Sequence, residues 1–330
     1  MKAVPFRLIL AIAASMMTSL AGAQTTASGK PAYPGKSVRL VVGFAPGGGT
    51  DILARLIAQK LTVAFGEQVV VDNRPGANGN LAAEIVSKTP ADGHTLLIMS
   101  VQYAISKSLY RNLSYDLEKD FTGICDVAFV PQVVAVHPSL PVKSVKELVA
   151  LAKSKPGQIA YASSGNGSVE QMAGEMLKNA AKIDLVHVPY KGGGPAAIDL
   201  VAGHVFVGFG TVPSVLQFIK DGRVRVLAVT SENRVAVLPE VPTVAESAIP
   251  GYAMSTWYGI VAPAGTPLPV VAQLNREIAK VIAEPQIREK FLSLGADPLG
   301  RMTPDQFGAY IRSEVAKYGK VVRDNNLRVE

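Results

Sequence analysis

Three loops carry residues whose types and spacing suit capture of an anion. Ala45-Pro46-Gly47-Gly48-Gly49-Thr50-Asp51 joins a strand-like run to a helical pattern. Its glycines lack Cβ atoms, so backbone N–H groups can approach a ligand and turn sharply. The helix N-terminus behind them offers unpaired N–H donors and a positive dipole end, a ready site for a carboxylate. The dipole contributes about 0.3–1 kcal/mol when exposed, and each charge-assisted hydrogen bond about 1.5–3 kcal/mol, so the backbone donors dominate. Asp51 has two readings: it favours the first helical turn, or it organises the loop around the anion. Ser163-Ser164-Gly165-Asn166-Gly167-Ser168 again ends a strand and opens a helix. Its hydroxyls and N–H groups, those of Ser164, Asn166, Gly167 and Ser168 among them, can grip an anion from the opposite side. Ser168 also suits an N-cap, with Gln171 completing it. Val188-Pro189-Tyr190-Lys191-Gly192-Gly193-Gly194 is the third. There Tyr190 can cover a ligand and donate through its hydroxyl, while Lys191 is by default solvated. Thr211 follows another strand, and Ser100, Gln102 and Tyr103 follow a strand on the first lobe's rim.

Other chemistries are poorly supported. The first loop lacks the Gly-Lys-Ser/Thr ending of a P-loop and the G-x-G-x-x-G spacing of a dinucleotide site, so no nucleotide cofactor is expected. His94, His137, His187 and His204 are isolated, without metal-ligand spacing. No G-x-S-x-G elbow occurs, and Cys125 is the single cysteine, read as a small buried apolar residue. No catalytic residue, metal or cofactor is therefore assigned. An enzyme acting through Ser164, Ser168 or Tyr190 is the weakest reading, since distant residues can assemble a triad that a sequence hides.

The elements that must position these loops alternate between strands and helices. Val38–Phe44, Val69–Val71, Thr95–Met99, Ile159–Ser163, Leu185–Val188, Val205–Phe209 and Val224–Thr230 read as strands. Asp51–Ala64 reads as a helix with Ile52, Leu56 and Val63, beside Leu53, Ile57 and Leu61, on its apolar face. Ser144 with Glu147, and Ser168 with Gln171, fit capping boxes, and Thr303 opens a terminal helix running through Tyr318. Such alternation predicts an α/β fold with mostly parallel sheets, whose ligands sit at the carboxyl ends of strands.

Lys2 and Arg7, the apolar run Leu8–Leu20 and Ala21-Gly22-Ala23 before Gln24 form the pattern of a cleavable secretory signal over residues 1–23. The mature protein is then expected to be soluble and periplasmic, preceded by a flexible lead over residues 24–34. The formal net charge is +7, of which the signal holds Lys2 and Arg7. The remaining basic residues are scattered, so nucleic acid is not an expected partner. The mature length suits two lobes better than one core. The chain is expected to cross between lobes near Val130–Val136 and return near Pro250–Trp257. Residues 35–131 and 254–330 then form a discontinuous first lobe and 132–253 the second.

Taken in order, Tyr33-Pro34, VRLVVGFAPGGGTD, VVVDNRPGANGN, ADGHTLL, LSYDLEKDF, YASSGNGS, VPYKGGGPA, LAVTSENR, LPEVPTVAES and GYAMSTWYGIVAPAGTP resemble the Bug-type receptors of tripartite tricarboxylate transporters. The resemblance covers essentially the whole mature chain. It implies a two-lobed, type II-like periplasmic binding fold with a hinged central cleft and a small organic carboxylate held between the lobes, often through ordered water. It also implies membrane permease subunits as partners, and a monomer is expected. On it, Phe44, Gly48, Gly49 and Asp51 match the first-lobe loop, Ser164, Gly167 and Ser168 the second-lobe anion loop, and Tyr190 the tyrosine of the third. Many relatives carry His where this chain has Gln171, and Tyr where it has His94; a structural adjustment is expected at His94. The alternatives are a sensor subunit that presents its ligand to a signalling partner and, less favoured, a carboxylate-processing enzyme.

Overall fold

The computed structural model describes residues 33–324. The expected signal, residues 1–23, lies outside the described residues, as does most of the lead. The last two residues of that lead are anchored. Tyr33 donates its hydroxyl to the Gly93 carbonyl at 2.7 Å and packs edge-on against Phe65 and His94. Its own carbonyl accepts from Gln273 at 2.7 Å.

In chain order the elements are β1 (Val38–Val42), α1 (Gly49–Phe65), β2 (Val69–Asn73), α2 (Asn80–Ser87), β3 (Thr95–Ser100), α3 (Val101–Leu109) and β4 (Phe121–Val136). Next come α4 (Val145–Ser154), β5 (Ala160–Ser163), α5 (Val169–Ala181), β6 (Val186–Pro189), α6 (Gly193–Ala202), β7 (Val207–Thr211), α7 (Val212–Lys220), β8 (Arg225–Val229) and α8 (Val244–Ser247). The chain closes with β9 (Ser255–Pro263), α9 (Leu268–Ala283), α10 (Pro285–Ser293), β10 (Asp297–Pro298) and α11 (Pro304–Asp324).

Sheet pairing divides the fold in two. One sheet runs β2-β1-β3-β9-β4, with β10 on β4; the other runs β4-β7-β5-β6, with β8 on β4. The outer strands pair in parallel, as βαβ crossovers require. The long strand β4 serves both sheets: Phe121–Pro131 pairs antiparallel with β9, and Gln132–Val136 pairs antiparallel with β7. Beside that passage Thr230 ties the return segment down. Its N–H donates to the Gln132 carbonyl at 2.9 Å and its hydroxyl to the Met254 carbonyl at 2.6 Å. Few backbone torsions therefore lie between the halves, the arrangement a hinge uses.

Local sequence explains the elements. In α1 the buried face is Leu53, Ala54, Ile57, Ala58 and Leu61; Val63, expected on that face, is exposed. The i, i+4 series of Leu53, Ile57 and Leu61 owns the face, and Val63 falls two positions off it. Gly66, at φ 69°, ends the helix by donating to the Thr62 carbonyl. Ser144 and Ser168 cap their helices as expected, accepting from Glu147 N and Gln171 N. The return bonds reach one residue further back, from Lys143 N to Glu147 and from Gly167 N to Gln171. Cys125 is buried among apolar neighbours, and burial pushes its thiol well above the ordinary range, which keeps it protonated and inert. No helix among the described residues is long and apolar enough to cross a membrane.

Candidate functional site

The loops after β1, β2, β5 and β6 converge where the two sheets face each other, at the carboxyl ends of their parallel strands. Ala45 N–H donates to the Lys191 carbonyl at 2.9 Å, a backbone bond straight across the cleft. Gly47 and Gly48 lie against Gly193 and Gly194 so closely that a Cβ on Gly194 would fall inside the van der Waals envelope of the Pro46 carbonyl oxygen. Glycine is required there because two backbones touch. This contact closes one side of a cavity of about 320 Å³.

Of the residues expected at the site, Phe44, Ser164, Asn166 and Tyr190 line this cavity, and Lys191 joins them as its one cationic lining residue among the described residues. Gly48, Gly49, Asp51, Gln102, Gly167, Ser168 and Thr211 do not line it. Gly48 belongs to the backbone contact just described. Gly49 packs against Thr211 and Tyr258, whose hydroxyl hydrogen-bonds with Thr50 and Thr211. Gln102 is buried in the first turn of α3, behind the rim position expected for it.

Asp51 organises the first loop. Its Oδ2 accepts from Gly47 N and Arg55 Nε, both at 3.0 Å, and its Oδ1 accepts from Asn73 Nδ2 at 2.9 Å. Asn73 also donates to the Phe44 carbonyl at 3.0 Å, so one carboxylate ties the loop to α1 and β2. Burial alone would raise the Asp51 pKa, but the bonds from Arg55, Gly47 and Asn73 outweigh it and hold the carboxyl below its ordinary value. It grips the loop, and its lone pairs are spent there.

The second loop satisfies much of its own donor capacity. Gly167 N–H donates to Gln171 Oε1 at 2.6 Å, and Gly165 N–H to Ser163 Oγ at 3.1 Å. Ser164 donates to Glu170 Oε2 at 2.6 Å. Tyr190 covers the cavity with its ring, but its hydroxyl donates to Asp199 Oδ2 at 2.7 Å. The hydroxyl expected to face a ligand is thus engaged by the carboxylate that α6 presents.

Sequence reasoning passed over two residues. Asn78 lines the cavity from a 3-10 turn, Ala77–Gly79, inside the NRPGANGN string, and neither atom of its amide has a hydrogen-bond partner. The Gly-Ala-Asn-Gly run following a strand was the available signal. Glu170 is buried beneath Ser164 in the first turn of α5, a position that reads locally as an ordinary dipole-favoured acid. Burial raises its pKa, only partly offset by bonds from Ser164, its own backbone and Ser168.

A raised folded pKa means the native state keeps a proton the unfolded chain has lost. Stability conferred by Glu170 is present below its unfolded pKa of about 4.3 and falls as pH rises through the folded value. Glu170→Gln is therefore expected to match the parent near pH 4 and to exceed its Tm by about 2–4 °C at pH 7.5, for each kcal/mol of desolvation relieved. Thermal scans at both pH values check this; a Tm difference independent of pH would refute it.

A cleft between two α/β halves joined by strand crossings, floored by strand-to-helix loops, defines a two-lobed solute-binding protein. The model of the tripartite tricarboxylate transporter family receptor matches residues 53–327, and the chain belongs to that family. It is 38% identical over 322 residues to the UPF0065 protein in the tcbD-tcbE intergenic region of Pseudomonas sp. (strain P51), covering 97% of this chain and 94% of that one. Among solved structures it is similar to R. palustris Rpa4515 with adipate, with a TM-score of 0.87 and 36% identity over 90% of this chain and 100% of that one. It is also similar to MatC from Rhodopseudomonas palustris with bound malate, with a TM-score of 0.83 and 30% identity over 88% and 100%. Among the described residues no group of three or more His, Cys, Asp or Glu is placed to hold a metal ion.

Proposed function

We propose that this protein captures a small organic carboxylate in the periplasm, closes its lobes around it and passes it to the permease subunits of a tripartite tricarboxylate-type transporter, as a monomer and without chemical turnover. The observation that carries the reading is the backbone bond from Ala45 to Lys191, which closes one side of a cavity between loops of opposite sheets. Residues 35–131 with 254–330, and residues 132–253, are taken as the two lobes, parted where β4 passes from one sheet to the other. The adipate and malate held by similar proteins support the ligand class. The signal pattern at the N-terminus supports the compartment.

Closure requires a ligand that binds the closed form better than the open one. An anion touching both lobes does so, because each lobe alone offers only part of its hydrogen bonds. Lys191 supplies the positive charge at the lining. Calorimetry with mono- and dicarboxylates is expected to give one-to-one binding for at least one acid, and mass spectrometry to recover it unchanged. Binding of sugars or cations without any carboxylate would refute the ligand class; conversion of the bound acid would refute a purely receptive role.

A further inference from the structure

Asn78 stands where the first lobe meets the second-lobe loop. The residue is 9% exposed, and both its Oδ1 and its Nδ2 are buried without a hydrogen-bond partner. Nδ2 lies 3.4 Å from where a Cβ on Gly167 would stand, and Oδ1 3.7 Å from the same point on Gly165. The amide therefore faces the second-lobe loop across the cleft, at the edge of the cavity that the residue lines. Beside it the Tyr103 hydroxyl, also buried and unpartnered, lies under Gly43 and Gly79, two further lining residues. Asn78 in addition holds a left-handed backbone, φ 55° and ψ 36°, which asparagine tolerates better than most residues.

A buried amide left unpaired carries its full desolvation penalty, so both atoms call for a partner that the protein does not supply. Because both are unpaired, the conclusion is the same whichever way the amide is turned. An ionised carboxylate only accepts hydrogen bonds and can satisfy the NH2 group alone; the carbonyl oxygen needs a donor. On the facing wall Ser164 has spent its proton on Glu170, the Asn166 carbonyl is itself an acceptor taken by Tyr110, and neither the Lys191 ammonium nor the Asn166 amide makes a bond to Asn78. Resting on the reading of this cleft as a carboxylate site, we propose that Asn78 determines specificity, selecting carboxylates whose other polar group brings its own N–H or O–H, such as hydroxy acids, amino acids and monoamides, over unsubstituted dicarboxylates.

The test is calorimetry on the wild-type protein and on Asn78→Gly, which removes the amide while easing the left-handed backbone, so folding is preserved. The probes are succinate, glutarate and adipate, each beside its 2-hydroxy acid and its monoamide. In the wild type the best substituted acid is expected to bind about tenfold more tightly than its parent diacid. In Asn78→Gly that ratio falls to within about twofold. Asn78→Asp, which retains only acceptors, keeps the preference and weakens the diacids further. A ratio unchanged by Asn78→Gly, or a wild type that prefers the unsubstituted diacids, overturns the assignment of Asn78 and leaves the carboxylate reading standing. A wild type that binds none of these acids and no other carboxylate overturns both.

Discussion

Gly194→Ala is expected to weaken carboxylate binding roughly tenfold to a hundredfold while leaving the unfolding temperature of the unliganded protein unchanged. Gly194 sits in the first turn of α6 with no left-handed torsion, so alanine suits its backbone. The roughly 1 kcal/mol that alanine gains over glycine in a helix interior is offset here by Pro195, which crowds a Cβ on the residue before it. The penalty arises only on closure, when the new methyl meets the Pro46 carbonyl from the other lobe. Backbone on both sides leaves no flexible side chain to yield, and overpacking of this kind costs about 1–3 kcal/mol. Since only the closed form bears it, that cost transfers to the binding constant. Isothermal titration and small-angle scattering with saturating ligand check the point: the variant should remain more extended than the parent. Equal affinity would mean that the glycine contact plays no part in the bound state.

Asp51→Ala is expected to lower both stability and affinity. The bond to Arg55 contributes little, because half of that side chain is in solvent and the pair is screened. The larger loss comes from Gly47 N–H and the Asn73 amide, each deprived of a charged acceptor at a cost of about 1.5–3 kcal/mol. A total of about 3–6 kcal/mol corresponds to a Tm lowered by roughly 6–24 °C. Affinity should fall at least about tenfold further than stability alone accounts for, because the loop that meets Lys191 and Gly194 loses its anchor. Asp51→Asn separates charge from shape. With its folded pKa depressed, Asp51 contributes stability that is full above its unfolded value of about 3.9 and is lost as pH falls through the folded value. The Tm deficit of Asp51→Asn should accordingly be largest near neutrality and shrink below pH 4. An affinity that survives Asp51→Ala would reduce this residue to a helix-start role.

Much of the architecture was legible in the chain. Val38–Val42 is apolar except for Arg39 and is bounded by a glycine turn, so it reads as a buried parallel strand, and it is one. The caps of α4 and α5 were readable because a serine oxygen and an N–H three residues on are neighbours in sequence. The strand β4 reads in the sequence only as a crossing near Val130–Val136, not as one continuous strand. Its first half supports one sheet and its second half the other, and no local periodicity records a change of partner in mid-strand.

The site divides along the same line. Residue types and spacing determined which loops face the cleft, because a glycine-rich turn between strand and helix is a local feature set by sterics over a few residues. The tertiary structure decided which polar groups in those loops remain free. Tyr190 loses its hydroxyl to Asp199, Ser164 its proton to Glu170, and Asp51 its lone pairs to Gly47, Asn73 and Arg55, whereas Asn78 keeps both ends of its amide. A hydrogen bond is made within about 3 Å in space whatever the separation in sequence, so the surplus left for a ligand is known only once the chain has folded onto itself.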